Sequence, residues 1–347
     1  MSHPDKDLYP WQQHDWEQLQ LLRERLPHAI LFHGVEGIGK IAFAEQFAAS
    51  LLCEAPGIDG HACGRCASCG WFEQYSHPDF RRLRPEVLEL EEGEDTAEAE
   101  ESSAKKSASS KAPSKDIRID QIRSLASFMN VSTHRSGKRV VMLYPAEALN
   151  AASANALLKT LEEPPPDTVF LLITHRIDRL LPTILSRCRQ FAMAMPTQEA
   201  ALGWLQAQGL KDPSNWLAEH GGAPLTAWSA AQGETGEERD ELLSLLAKPE
   251  SSLALVVADR LQKIPLAPLV AWQQRWLYDL LSLKLGGRVR YFPHHQKSLS
   301  ALASRVTAER LQQALRDAGA RRAVADHPLS ARLFIEDMLL EYAGIFQ

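Results

Sequence analysis

The stretch that most constrains the fold is AILFHGVEGIGKIAFAEQFAASLLC, which runs from Ala29 to Cys53. It begins with a short apolar run that ends in glycine, a pattern typical of a buried parallel strand. Its later part spaces Phe43, Phe47 and Leu51 four residues apart, which predicts a helix with one apolar face. A buried strand, a glycine-rich turn and an amphipathic helix in this order predict an α/β domain with a parallel sheet.

Four more segments continue the alternation of strands and helices. They predict strands at DFRRLRP (79–85), RVVMLY (139–144), TVFLLIT (168–174) and CRQFAM (188–193). Helical spacing lies between them, for example in SANALLKTLEE, which three consecutive prolines end. Parallel strands joined by helices give a sheet that is covered on both faces.

Strand-like runs disappear after about Met195. Short helices separated by glycines are predicted at first, and from about residue 237 onward the predicted helices are longer. We therefore predict an α/β domain over 1–195, a small helical domain over 196–236, and an all-helical domain over 237–347.

One segment inside the first domain, residues 86–115, has low complexity. EVLELEEGEDTAEAEESSAKKSASSKAPSK has almost no large apolar residue after Leu90, so it cannot bury enough surface to offset its ordering entropy. We predict a disordered insertion without a specific function. Its first part, 86–101, holds nine acidic residues, and without them the formal net charge of −6 becomes +3. Net charge therefore gives no strong signal for nucleic-acid binding.

Two features bear on the compartment. No stretch approaches the roughly 18 to 20 apolar residues that a membrane span needs. The polar and aromatic start, MSHPDKDLYPWQQHDW, does not resemble a signal peptide. We expect a cytoplasmic protein with no membrane partner.

Four of the five cysteines lie within 17 residues. Cys53, Cys63, Cys66 and Cys69 have the spacing C-x9-C-x2-C-x2-C, and four thiolates so close together can surround one Zn²⁺ tetrahedrally. We predict a closed structural zinc site rather than a catalytic one. Free thiols and an iron–sulfur cluster remain alternatives, although the proline that follows the fourth cysteine in ferredoxins is missing.

The turn GVEGIGKI (34–41) nearly matches the phosphate-binding pattern G-x-x-x-x-G-K-[ST]. Gly34, Gly39 and Lys40 match, but Ile41 replaces the residue whose hydroxyl binds Mg²⁺. The strand RVVMLY also ends in Tyr144, where an acidic metal-holding residue is expected for hydrolysis.

These two departures argue against ATP hydrolysis. Pro145 follows Tyr144 without supplying a carboxylate, and Glu147 lies beyond the end of the strand. Nucleotide binding without hydrolysis remains open, as does a turn that retains the shape of a phosphate loop without binding nucleotide.

Two further stretches, NALLKTLEEPP (155–165) and LPTILSRCRQF (181–191), resemble the clamp-loader AAA+ proteins of bacterial DNA polymerase III. The four-cysteine insertion and HPDFRRLRPE (77–86) are similar to those of the same group. The resemblance covers about residues 10–200. It implies a RecA-like AAA+ domain, a helical lid domain over 196–236, and a helical collar domain over 237–347 that assembles a ring of five subunits.

The resemblance also implies a role for Arg187. In SRC (186–188) it matches an arginine that projects into the ATP site of the adjacent subunit, where it stabilises charge on the transferred phosphoryl group. The chain would then be a stator that completes a neighbour's site without hydrolysing ATP itself. The plainer alternative is a surface arginine in an ion pair.

The partners that the resemblance implies are gamma/tau-like and delta-like subunits, with the sliding clamp and primed DNA reached through the assembly. The chain would thus be an inactive part of a DNA-directed DNA polymerase, a nucleotidyltransferase. Two other functions stay in competition: an active gamma/tau-like ATPase, and a zinc-dependent nucleic-acid-binding module. The second alternative needs a basic stripe beside the cysteines, where the sequence offers only Arg65, Arg81, Arg82 and Arg84.

Overall fold

The structure is a computed structural model that describes residues 8–91, 113–134, 137–233, 236–325 and 330–347. The chain forms two compact units, Met1–Met195 and Pro196–Gln347. The division of the second unit into a lid domain and a collar domain at residue 236 stays a prediction.

The first unit is built on one sheet of five parallel strands. The strands are β1 (Ala29–His33), β2 (Phe80–Leu83), β3 (Arg139–Leu143), β4 (Thr168–Thr174) and β5 (Arg189–Ala192). Their order across the sheet is β2-β3-β4-β1-β5. The predicted parallel α/β fold is confirmed, and each predicted strand is present.

Helices follow the strands and cover both faces of this sheet. They are α1 (Gln13–Leu21), α2 (Lys40–Leu52), α3 (Ala67–Glu73), α4 (Glu86–Glu91), α5 (Ile119–Asn130), α6 (Ala151–Glu162) and α7 (Pro182–Leu185). Alternate residues of β1 enter different cores: Phe32 packs in one with Phe43, and Leu31 packs in the other with Leu157. Burial on both faces explains why β1 is continuously apolar.

The low-complexity segment differs from the prediction where the structure describes it. Its first six residues, Glu86–Glu91, form α4 instead of being disordered. The Glu86 carboxylate pairs with Arg118, at 2.7 Å, and accepts the Ser114 backbone N–H, at 3.0 Å, so both ends of the segment are tied together. Residues 92–112 lie outside the described residues.

In the described residues of the second unit, all regular secondary structure is helical. Its helices are α8 (Gln198–Ala207), α9 (Pro213–Glu219), α10 (Pro224–Gln232), α11 (Gly236–Ala247), α12 (Ser251–Leu261), α13 (Leu266–Lys284), α14 (Gln296–Arg305), α15 (Ala308–Val324) and α16 (Ala331–Gly344). Helices α8 to α10 share a small apolar core, and α11 to α16 share a larger one.

A buried hydrogen-bond chain connects distant helices in the larger core. The Trp276 indole donates to the Tyr342 hydroxyl at 2.8 Å, and that hydroxyl donates to the Leu246 carbonyl at 2.7 Å. No helix among the described residues is both long enough and apolar enough to span a bilayer.

Candidate functional site

The loop that resembles a phosphate-binding loop joins β1 to α2. Gly34 and Gly39 have φ angles of 148° and 85°, which favour glycine. A Cβ atom on Gly34 would lie 2.7 Å from the Met193 carbonyl oxygen, and one on Gly39 would lie 2.5 Å from the Tyr9 ring. Both glycines are therefore required by the packing of this chain alone.

The Lys40 ammonium group is directed back into its own loop. Its Nζ atom donates to the Gly34 carbonyl at 3.0 Å and to the Val35 carbonyl at 2.6 Å, and the residue is only 2% exposed. Burial lowers the pKa of Lys40 from 10.5 to about 8, although Glu36 and Glu147 favour the charged form. Two of its three N–H donors thus bind carbonyl groups of its own loop.

The segment before α1 packs over the end of the loop. The Gln12 side-chain amide donates to the carbonyls of Ile38 and Gly39, at 3.0 Å each, and the Trp11 indole donates to Ile38 at 3.0 Å. The Tyr9 ring stacks on Trp11 with centroids 5.0 Å apart. These contacts cover the loop where it enters α2.

The positions expected to bind Mg²⁺ contain packing residues. Ile41 is partly buried against the core that contains Phe43. Tyr144 is 3% exposed, and its hydroxyl accepts a hydrogen bond from Arg84 at 3.3 Å. Ile41, Tyr144 and Pro145 offer no carboxylate, and the isoleucine and proline offer no side-chain oxygen either.

Glu147 is the first acidic residue of the chain after β3, and its carboxylate already accepts two hydrogen bonds. One of its oxygens accepts the Thr174 hydroxyl at 2.6 Å, and the other accepts the His175 backbone N–H at 3.0 Å. Thr174 is fully buried at the end of β4. The sequence analysis placed Glu147 beyond the strand and missed this contact.

Lys40 affects the pKa values of two histidines that lie at the carboxyl ends of the strands. Burial and the positive charge of Lys40 both lower the pKa of His175, and the same two causes lower the pKa of His33 at the end of β1. Neutral imidazoles are therefore favoured next to the buried ammonium group.

The four predicted metal ligands lie together. Cys53 follows the last residue of α2, Cys66 caps the first turn of α3, and Cys63 and Cys69 complete a group whose sulfur atoms all lie within 4.8 Å of one another. The Cys53–Cys66 and Cys63–Cys69 sulfur pairs are 3.9 Å and 4.0 Å apart. This group can hold a metal ion.

The environment of the sulfurs differs around the group. Backbone N–H groups of Arg65 and Cys66 lower the pKa of Cys63 to about 6, whereas burial raises the pKa of Cys53 and of Cys69. The fifth cysteine, Cys188, lies outside the group, and burial raises its pKa to about 12. Cys188 packs in the core as a small apolar side chain.

Arg187 lies between α7 and β5 and is about one-third exposed. Its Nη1 atom donates to the Thr183 carbonyl at 2.9 Å and to the Ser186 hydroxyl at 3.3 Å. Its Nη2 atom forms an ion pair with Glu162 at the end of α6. Arg187 thus forms an ion pair, as expected of a surface arginine without a role in catalysis, and it remains accessible to solvent.

Lys40 lies near the carboxyl ends of the parallel strands, and Arg187 lies near their amino ends. Strands β1 and β5 are parallel neighbours, with Ile30 paired to Arg189 and His33 paired to Ala192. The phosphate-loop residues follow the carboxyl end of β1, whereas Arg187 precedes the amino end of β5. The structure therefore does not bring Arg187 to the loop of its own chain.

Proteins similar to this chain are found among protein families and among solved structures. A family model described as DNA polymerase III, delta subunit, matches residues 12–197. Among solved structures, a gamma-subunit-related protein of Thermotoga maritima is 17% identical, with a TM-score of 0.48 over 96% of this chain and 100% of that chain.

Curated relatives match at higher identity. The delta' subunit of DNA polymerase III from Pseudomonas aeruginosa is 40% identical over 80% of this chain and 79% of that protein. The delta' subunit from Escherichia coli is 33% identical over 69% of this chain and 65% of that protein. Because the family model spans more than half of the chain and the Pseudomonas protein matches most of it, this chain belongs to the family of DNA polymerase III delta' subunits.

Proposed function

We propose that this chain is the clamp-loader subunit that does not hydrolyse ATP but supplies Arg187 to the ATP site of a neighbouring subunit. The observation that supports this most is the position of Arg187 at the amino end of β5, away from the loop that follows the carboxyl end of β1. An arginine so placed can contact a nucleotide only if that nucleotide is bound to another chain.

The state of the loop supports the absence of hydrolysis. In P-loop NTPases, the metal ion needed for phosphoryl transfer is held by a hydroxyl of the loop and an acidic strand-end residue. Ile41 and Tyr144 occupy those two positions, and the nearby Glu147 carboxylate is bound to Thr174 and His175. Lys40, which would bind phosphate oxygens, is bound to carbonyls of its own loop.

The role of Arg187 in such a site is electrostatic. As the bond to the γ-phosphate breaks, negative charge spreads over phosphate oxygens, and a guanidinium group stabilises that charge without giving up a proton. To reach the neighbour's nucleotide, Nη2 must exchange the Glu162 carboxylate for a phosphate oxygen. Because both partners are substantially exposed, at 32% and 48%, the ion pair contributes little and this exchange is energetically feasible.

The relatives supply the proposed partners. One similar protein is the DNA polymerase III subunit tau of Bacillus subtilis, 29% identical over 64% of this chain. We therefore propose gamma/tau-like and delta-like subunits as direct partners. The sliding clamp and primed DNA would be contacted through the assembly.

We also propose that Cys53, Cys63, Cys66 and Cys69 bind one structural Zn²⁺. Zn–S bonds of about 2.3 Å in a tetrahedron give sulfur–sulfur edges of about 3.8 Å, close to the 3.9 Å and 4.0 Å separations in the group. Four thiolates leave no open position for substrate. The ion would therefore join the end of α2 to the start of α3.

The test of the trans-acting arginine compares reconstituted clamp loaders. Arg187→Ala should leave the chain folded and able to assemble, because an arginine in a solvent-accessible ion pair contributes little stability. DNA-stimulated ATP hydrolysis and clamp loading on primed DNA should fall. Such arginines contribute roughly 10³–10⁵ in rate in other phosphoryl-transfer enzymes, although other sites in the ring would retain their own.

Two further variants make this test specific. Arg189→Ala is a matched control, because Arg189 is an exposed arginine two residues along on β5. It should leave the ATPase rate unchanged. Arg187→Lys should rescue poorly, since an ammonium group lacks the planar fork. Equal rates for the wild-type and Arg187→Ala assemblies, at verified stoichiometry, would refute the proposed role.

A further inference from the structure

A surface of the second unit has an unusual distribution of charge. From Leu280 to Ala308 the sequence has no acidic residue in 29 positions, although the whole chain has more acidic than basic residues, 44 against 38. The same positions contain five basic residues: Lys284, Arg288, Arg290, Lys297 and Arg305. The first three lie at the end of α13 and in the loop that follows, 285–292, which we name the cationic loop.

The cationic loop is held in one conformation by a buried carboxylate. Asp279 is fully buried in α13 and accepts backbone N–H groups from Arg290 at 2.8 Å, Tyr291 at 3.0 Å and Phe292 at 2.8 Å. The Ser282 hydroxyl also donates to the Arg288 carbonyl at 2.8 Å. The loop thus folds back along the last two turns of the helix.

These contacts have an energetic consequence. Burying a carboxylate is unfavourable unless hydrogen bonds compensate for its lost hydration, and here the compensating donors all belong to the loop. Moving the loop would leave Asp279 buried and unpaired. The side chains of the loop are therefore presented from a preorganised backbone.

The side chains that this backbone presents are basic and aromatic. Lys284, Arg288 and Arg290 are exposed and make no ion pair with any residue that the structure describes. The Arg290 guanidinium lies 5.5 Å from the centre of the Tyr291 ring, which packs edge-on against Tyr278 at 5.4 Å. Tyr278 is 43% exposed, so an aromatic surface lies beside the cations.

Neighbouring acids do not neutralise this surface. Lys284 acts electrostatically on the exposed Glu309, whose pKa is lowered chiefly by hydrogen bonds within its own helix turn. Asp212 lies 3.6 Å from His294, beyond the end of the loop. Arg290 also acts electrostatically on the buried Asp279, but neither Arg288 nor Arg290 forms an ion pair within the part of the chain that the structure describes.

A purely structural explanation accounts for only part of this arrangement. A lysine in the last turn of a helix interacts favourably with the helix dipole, which explains Lys284 at the end of α13. Arg288 and Arg290 lie outside the helix, and that explanation does not extend to them.

We propose that the cationic loop, together with Lys284 and Tyr278, binds single-stranded nucleic acid. Unpaired cations attract the phosphate backbone, and exposed aromatic rings stack on bases that are free of a duplex. An acidic peptide would use the cations but would gain nothing from the aromatic face. This proposal does not depend on the role of Arg187.

The test measures binding of a fluorescein-labelled oligothymidylate of about 20 nucleotides, longer than a site of about 4–16 nucleotides, by anisotropy at low salt. Wild-type full-length chain should bind with strong salt dependence. The double variant Arg288→Gln/Arg290→Gln should bind at least about tenfold more weakly, and its salt dependence should decrease by about 0.7 in log–log slope for each lost phosphate contact.

The matched control removes the same charge elsewhere in the second unit. Lys248→Gln/Lys263→Gln replaces two exposed lysines outside the cationic loop and should leave affinity within about twofold, since screening limits distant charges. Tyr278→Ala should weaken binding by roughly fivefold or more, because stacking on one base is worth about 1–3 kcal/mol. Circular dichroism should show that each variant is folded.

Several results would refute the proposal. A wild-type chain that does not bind the oligonucleotide at low salt would overturn it, and so would a lysine control that weakens binding as much as the arginine variant. Polyglutamate that competes as well as unlabelled oligothymidylate would identify an acidic peptide as the ligand instead. Should the arginine double variant not fold, Lys284→Gln provides the same comparison with one charge.

Discussion

The buried ammonium group of Lys40 should make the stability of the first unit depend on pH in a defined direction. The native pKa of about 8 lies below the ordinary 10.5, chiefly because the group is buried. Between these values the unfolded chain binds a proton that the native chain has released. Stability therefore rises with pH across this window, and the cost of the buried charge is fully present below pH 8.

The size of the effect follows from the shift. A difference of about 2.5 pKa units corresponds to about 3 kcal/mol as an upper value, because the ammonium group is only partly removed from solvent. At pH 7 nearly all of that cost remains, and at pH 9.5 somewhat less than half remains. The wild-type protein should thus gain up to about 2 kcal/mol between these pH values relative to a variant without the group.

The variant is Lys40→Met, which retains most of the unbranched side chain and removes its charge. Its absolute stability also reflects the carbonyls of Gly34 and Val35, which lose their donor. The comparison therefore uses the change in the free energy of unfolding between pH 7 and pH 9.5. It is measured for both proteins by urea unfolding with circular dichroism. Other titrating groups are common to both proteins and cancel in the difference.

One result would refute the reasoning. If the difference in unfolding free energy between wild type and Lys40→Met is the same at both pH values, Lys40 has an ordinary pKa. The ammonium group would then be hydrated and free to bind a phosphate, and the loop would not be closed on its own lysine.

Three more predictions follow from the same geometry. Metal analysis should find about one zinc per chain, and Cys66→Ser should lower that content whereas Cys188→Ser should not; a folded, metal-free wild-type protein would contradict the site. Ile41→Thr should show no ATP turnover above background in a steady-state assay of the pure chain, because the strand-end carboxylate is still missing; turnover abolished by removing Lys40 would reverse this conclusion. Tyr342→Phe should lower the free energy of unfolding by about 1–3 kcal/mol in urea titration, because the Leu246 carbonyl and the Trp276 indole both lose a buried partner; an unchanged midpoint would contradict the hydrogen-bond chain.

Local sequence signals were sufficient for the sheet and for the cysteine group. The three central strands, β1, β3 and β4, are short and mainly apolar, and their burial on both faces removes the ambiguity of an alternating pattern. The outer strands β2 and β5 contain arginines and are only partly buried or largely exposed. The four cysteines are close in sequence, so the turns between them bring the sulfurs together. The start of the low-complexity segment was mispredicted, because the Glu86–Arg118 pair joins residues 32 positions apart.

The contacts that the sequence could not predict join distant elements. Glu147 meets Thr174 because β3 and β4 are adjacent in the sheet, and strand order is not encoded in either strand alone. The contacts of Asp279 with the loop were not predicted from the sequence of its helix. An acidic residue on a buried helix face just before Gly286 and Gly287 would have been a usable sign that a loop folds back on it.

The two features that resemble an ATPase have different physical origins in this chain. Gly34 and Gly39 are fixed by contacts with Met193 and Tyr9, so their presence requires no bound nucleotide. Lys40 is likewise satisfied by its own loop. Arg187 differs, because its solvent-accessible ion pair contributes little to folding and most other residues could replace it at small cost in stability. Packing thus explains the loop but does not explain the arginine, and this asymmetry is the reason to look for the function of Arg187 in a neighbouring subunit.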